Sequence, residues 1–190
     1  MLWLLILGVL MWSIVHLFPA IMPAKRAELI SRFGNGKYQG LFALKILIAL
    51  VLIVIGWRNT LPEPVYDPPA FGRHITMLLM LFSIILFGAS NAKSWLKKNI
   101  RHPMLSGMAV WGIAHLLANG DIRSLVLFGG MLLWALLSIY FINRRDGTWV
   151  KPAMTVTRVD DLKLLGISVV VYLLLVFLHP YFAGMSLIPH

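Results

Sequence analysis

Six apolar blocks, near residues 1–22, 40–57, 74–92, 104–119, 122–142 and 162–180, divide this chain, and each approaches the roughly 20 residues that a helix needs to cross hydrocarbon. A soluble fold of 190 residues, 59% of them hydrophobic, would have to hide these blocks in a core too large for its size. Single strands cannot cross a bilayer, and nothing alternates in the ten-residue pattern of an outer-membrane barrel. The expected fold is therefore all-α: a polytopic membrane helical bundle of six transmembrane helices, one domain over residues 1–190, with lipid as its main solvent. No internal repeat is convincing, and tandem soluble domains are absent.

The connections test this count through their charge. Residues 23–39 carry Lys25, Arg26, Arg32 and Lys37; 93–103 carry Lys93, Lys97, Lys98 and Arg101; 143–163 carry Arg144, Arg145, Lys151, Arg158 and Lys163. The alternate connections hold only Arg58, Arg73 and Arg123, and neither terminal segment has a basic residue. By the positive-inside rule, the rich connections are cytoplasmic and both termini periplasmic, in a bacterial inner membrane. The net charge of +10 thus reports topology and not nucleic-acid binding, since no basic and aromatic residues interleave. Residues 1–22 lack a basic start and a small-residue cleavage pattern, so they are expected to stay as the first span. Lys45, about five residues from the cytoplasmic end of the second span, can snorkel to the interface. Residues 61–69, Leu-Pro-Glu-Pro-Val-Tyr-Asp-Pro-Pro, read as a stiff extended cap on the outer side.

Within a bilayer the informative residues are the ionisable ones. Glu28, Glu63, Asp67, Asp121, Asp146, Asp160 and Asp161 all fall in connections or at span ends, which leaves no buried acids for a proton or cation pathway. Cysteine is absent, so disulfides and thiolate metal sites are excluded, and a metal ligand must be His, Met or an oxygen donor. Of the histidines, His74 and His102 open spans, and His179 and His190 lie toward the C-terminal end. Only His16 and His115 sit well inside. A core histidine bonded to a carbonyl and a metal-ligating histidine are both open readings for either one.

His115 shares a helix face with Met108, Gly112 and Asn119, and Gly112 leaves room beside the imidazole. A flat cofactor or a closely packed helix could use that room. Pro103 suits the first turn of this helix, and Asn119-Gly120-Asp121 its end and a tight turn. His16 precedes Pro19, where the first span is expected to bend. At 1.5 Å per residue His16 lies about 24 Å from the outer end of its span and His115 about 17 Å from the inner end of its own, an offset of around 10 Å before any tilt.

Arg32-Phe-Gly, Tyr38-Gln-Gly-Leu-Phe-Ala-Leu, Asn91-Ala-Lys, Arg101-His-Pro-Met-Leu-Ser-Gly and Trp111-Gly-Ile-Ala-His-Leu-Leu-Ala-Asn-Gly-Asp together resemble the NnrU family of bacterial membrane proteins, across nearly the whole chain. That resemblance implies an association with nitrite and nitric oxide reduction. The same domain resembles the plastid zeta-carotene isomerase, a haem b protein that isomerises a carbon–carbon double bond and so takes a hydrophobic small-molecule substrate. By motif its two haem-ligand histidines fall on His16 and His115, which implies a haem b between the first and fourth spans. The chain departs from the isomerase at Gly112, where the isomerase has a cysteine proposed as an alternative ligand.

Arg101-His-Pro with Gly107 is also similar to half of the S-adenosylmethionine motif of isoprenylcysteine carboxyl methyltransferases, but no glutamate follows Glu63 to complete it. An interfacial arginine and a helix-opening histidine account for Arg101 and His102 equally well. Trp111, Trp134 and Tyr140 read as packing or interface residues. Three classes of function stay open: a haem-dependent isomerase or redox enzyme, a membrane methyltransferase, and a non-catalytic partner of the denitrification machinery.

Overall fold

The computed structural model describes residues 1–184 and 187, so His190 lies outside the described residues. Every regular element among them is a helix: α1 Leu2–Ile21, α2 Pro23–Phe33, α3 Asn35–Arg58, α4 Gly72–Ala89, α5 Trp95–Asn99, α6 Pro103–Ala118, α7 Ile122–Asp146 and α8 Arg158–Ala183. Five of these, α1, α3, α4, α7 and α8, are long and apolar enough to cross a membrane. The sixth expected span, α6, is apolar but has only 16 residues. Pro103 at its first turn and the extended backbone of Asn119 at its end set those limits, as the sequence predicted. α1 continues through Pro19 to Ile21, so this proline sits in the helix's last turn.

Three helical segments occupy stretches expected to be connections: α2, the short α5 and the first turn of α8. α2 follows Met22 with Pro23 at its start, has no buried residue, and carries the exposed pair Lys25–Glu28 at 2.9 Å. α8 starts at Arg158 because Thr157 and Asp160 form a reciprocal capping box, which extends the helix one turn before its apolar run begins.

The long helices pack in the order α3, α1, α7, α6, α4, α8, and α3 and α8 barely touch. The bundle is thus an arc with those two helices at its ends. Only Ala49 and Gly56 are buried on α3, and only Leu164 and Ser168 on α8. Close backbone approach holds α1 to α3. A Cβ on Gly56 would stand 2.4 Å from the Leu5 nitrogen, and one on Gly8 2.9 Å from the Ala49 carbonyl. Small residues at such crossings are the usual way membrane helices gain packing. The buried centre is Leu17, Leu105, Ala109, Met131, Trp134 and Ala135, where α1, α6 and α7 meet. Lys45 is exposed on the outside of α3, in keeping with a snorkelling side chain.

Each end of the bundle, along its helices, is tied by its connections. At one end the proline-rich α3–α4 connection is strapped to the α6–α7 turn: the Val65 and Tyr66 amides donate to the Gly120 carbonyl at 2.7 and 3.0 Å, and the Ile122 amide donates to Glu63 at 2.9 Å. The Tyr66 hydroxyl donates to the carbonyls of Leu116 and Asn119. A Cβ at Gly120 would fall 1.8 Å from the Tyr66 carbonyl, so this approach requires glycine. The expected cap is therefore present. At the other, basic end, Arg145 reaches the Pro19 carbonyl at 3.3 Å, and the Asp161 carboxylate accepts from the Trp95 amide at 2.9 Å.

Candidate functional site

A cavity of about 830 Å³ lies near the strapped end, in the concave side of the arc. Its walls are Ile53, Val54, Trp57 and Arg58 of α3; Thr76, Met77 and Met80 of α4; Trp111 and His115 of α6; Phe128 of α7; and Tyr172 and His179 of α8. Pro68, Pro69 and Ala70 of the strap close it at one end, with Arg73 at the start of α4 beside them. No residue of α1 lines it. Apolar walls with a few polar groups, at this volume, are what a small-molecule site requires.

His115 is held on this wall by two contacts. Its Nδ1 lies 2.9 Å from the Trp111 carbonyl one turn back, and a carbonyl can only accept, so Nδ1 carries the proton and Nε2 keeps the lone pair. Phe128 stacks on the imidazole, with centroids 4.3 Å apart and planes at 19°. Phe128 reaches that position from a π-helical turn at Leu125–Gly129, a local widening of α7 that re-aims its side chains. The same ring meets Trp111 and Trp57 edge-on at 4.8 and 5.7 Å.

The room expected beside His115 at Gly112 is taken by α7: a Cβ there would lie 2.8 Å from the Phe128 carbonyl and 2.9 Å from the Leu132 Cβ. Of the two uses the sequence allowed, helix packing is the one observed. Asn119 turns back on its own helix, donating to the His115 carbonyl at 2.9 Å.

His16 occupies different surroundings. Its Nδ1 also lies 2.9 Å from the carbonyl one turn back, that of Trp12, and its ring meets Trp12, Trp134 and Phe42 at 4.3, 5.2 and 5.4 Å. The indole N–H groups of Trp12 and Trp134 are buried there with no acceptor among the described residues. His16 and His115 thus share one local geometry, and the structure does not bring them to one cavity. The imidazole that joins His115 on the cavity wall is His179.

Of the remaining sequence candidates, Arg101 and His102 have structural work. His102 bonds the Asn143 side chain at 2.8 Å and Arg101 the Gly147 carbonyl at 2.7 Å, fastening the start of α6 to the end of α7. His74 is exposed near the start of α4, and Tyr140 is exposed on α7. Trp134 is buried in the core, as expected, whereas Trp111 proves to be cavity wall. Sequence reasoning missed Thr76, which donates to the Ala114 carbonyl at 2.6 Å, along with Arg58, Phe128, Tyr172 and His179. None carries a motif; only the packing order places them together.

Fold and cavity define a multi-pass helical membrane protein with an apolar chamber that presents an imidazole of fixed tautomer. The family profile described as NnrU protein matches residues 4–187, so the chain belongs to the NnrU family. No curated protein and no solved structure matches it.

Proposed function

We propose that this protein is a six-span haem protein of the bacterial inner membrane, with both termini periplasmic, in which His115 would hold a b-type haem in the cavity. The observation that carries this reading is the Nδ1 bond from His115 to the Trp111 carbonyl on the wall of a chamber of about 830 Å³. Outer bonding of that kind fixes the ring and raises its basicity in metal-ligating histidines. α6 serves as the sixth span. At 1.5 Å per residue it covers about 24 Å, and its place inside the arc spares it from matching the full hydrocarbon thickness.

Haem bound here would supply an iron whose potential is set by its axial ligands and by the dry surroundings. The chain's own residues would bind and orient: the Trp111 carbonyl holds the imidazole, Phe128 stacks on it, and the strap keeps water from the chamber's end. Reduction of nitrogen oxides and double-bond isomerisation are the chemistries the family resemblance suggests. His16, the second ligand that the resemblance names, has the matching tautomer but lies off the cavity, so the reading rests on His115.

The test is spectroscopic. The purified protein should show a Soret band that His115→Ala abolishes and that His74→Ala and His190→Ala leave intact. A His16→Ala shift in that band would add His16 as second ligand. Survival of the band in His115→Ala overturns the assignment. S-adenosylmethionine binding by calorimetry, without a Soret band, would favour the methyltransferase, and the absence of both would leave a non-catalytic partner.

A further inference from the structure

The arc leaves α3 and α8 apart, and the cavity lies in the opening between them. Side chains from both helices line the cavity and yet face outward: Val54 on α3 is 51% exposed, and Leu175 and Phe182 on α8 are 39% and 55% exposed. Such residues mark a mouth. It faces the flank of the bundle, where lipid lies, while the strap covers the end of the chamber that would otherwise meet water.

A second cavity of about 170 Å³ adjoins the first at the strapped end, sharing Trp57, Arg58, Tyr181, Phe182 and Ala183 and adding Arg123. Arg58 borders both. The Arg123 guanidinium lies 4.5 Å over the Trp57 ring and 3.5 Å from Asp121. No carboxylate among the described residues pairs with Arg58. The larger space is apolar, and the smaller one is lined by two guanidiniums, the side chains whose planar forks suit carboxylate and phosphate oxygens.

We infer that the ligand of this cavity is an anionic amphiphile that arrives sideways from the lipid through the α3–α8 opening. Its apolar body lies among Met77, Met80, Phe128 and Tyr172, and its carboxylate or phosphate end is held at Arg58 and Arg123. An apolar body passes from lipid to these walls with little change of surroundings. Its charged end meets two guanidiniums at the strapped end, where α3 finishes at the exposed Arg58. The inference rests on the cavity being the chain's binding site and not on the ligand being haem. A porphyrin with its carboxylates and a lipid acid both have the required chemistry.

The test uses the full chain in lipid nanodiscs, titrated with haemin and with cis-parinaric acid, each against its methyl ester. The acid of at least one pair should bind about tenfold or more tighter than its ester, the scale of a charge-assisted hydrogen bond, and Arg58→Gln should remove the preference. Unchanged ester affinity in Arg58→Gln shows that the variant is folded. Because the chain has no cysteine, Val54→Cys with Leu175→Cys can be joined by a bifunctional thiol reagent. Joining them should slow uptake from vesicles while preloaded ligand stays bound. Acid and ester binding alike, no binding of either acid, or uptake unaffected by the bridge overturns the inference. Preference for parinaric acid without haemin binding sinks the haem reading alone; haemin binding at His115 with no preference for acid sinks this one alone.

Discussion

An imidazole whose Nδ1–H donates to the carbonyl one turn back has a single nitrogen left for other work, and this chain builds that arrangement twice, at His16 and His115. The signal stood in the sequence, since Trp12 and Trp111 each precede a part-buried histidine by four residues. Depth in the span singled out both histidines, but only the fold could show that one borders a cavity and the other a box of aromatic rings. The indole N–H groups of Trp12 and Trp134, buried without an acceptor among the described residues, each cost about 1–3 kcal/mol. Tyr66 makes a contribution that depends on pH. Partial desolvation, and then the Asp121 carboxylate, push its hydroxyl pKa up, and the protonated form is the one that donates to the Leu116 and Asn119 carbonyls. A folded pKa above the unfolded one means that the stabilisation is complete below about pH 10 and is lost as pH rises through the folded value. Tyr66→Phe should lower Tm at neutral pH by an amount worth about 1 kcal/mol, and wild type should lose that advantage in strong alkali.

Helix positions were legible wherever hydrophobicity runs unbroken, and less so where polar residues continue a helix beyond its apolar part. α2 and the first turn of α8 were hidden by their charge, although Thr157 and Asp160 formed a readable capping signal. The α1–α3 crossing depends on glycines that nothing in the sequence distinguishes from the others. Gly56→Leu should separate these two helices, since the added atoms meet Leu5 backbone that cannot move aside, at a cost of about 1–3 kcal/mol. Gly166→Leu on α8, where nothing lies within 4 Å, should leave thermal stability nearly unchanged. Equal losses of Tm in the two variants would mean that glycine flexibility, and not close packing, is what counts.

At the scale of the whole molecule, orientation is the expectation most directly open to experiment. An alkaline-phosphatase fusion should be inactive after residue 150 and active after residue 190, and the reverse pattern at either site refutes both termini being periplasmic. Loop charge made that expectation readable, whereas the arc and its cavity were not, because hydropathy shows that a helix meets lipid but not which neighbour it lacks. The strap has a further consequence, in the timing of biogenesis. Val65 and Tyr66 can meet Gly120 only after the ribosome has added the α4–α6 stretch, several seconds at about 5–20 residues per second. Throughout that interval α3 has only α1 and α2 for company, its Arg58 end untied. α8 emerges last of all, so the chamber spends the whole of synthesis as an unfinished trough facing the insertion machinery and the first lipids to arrive.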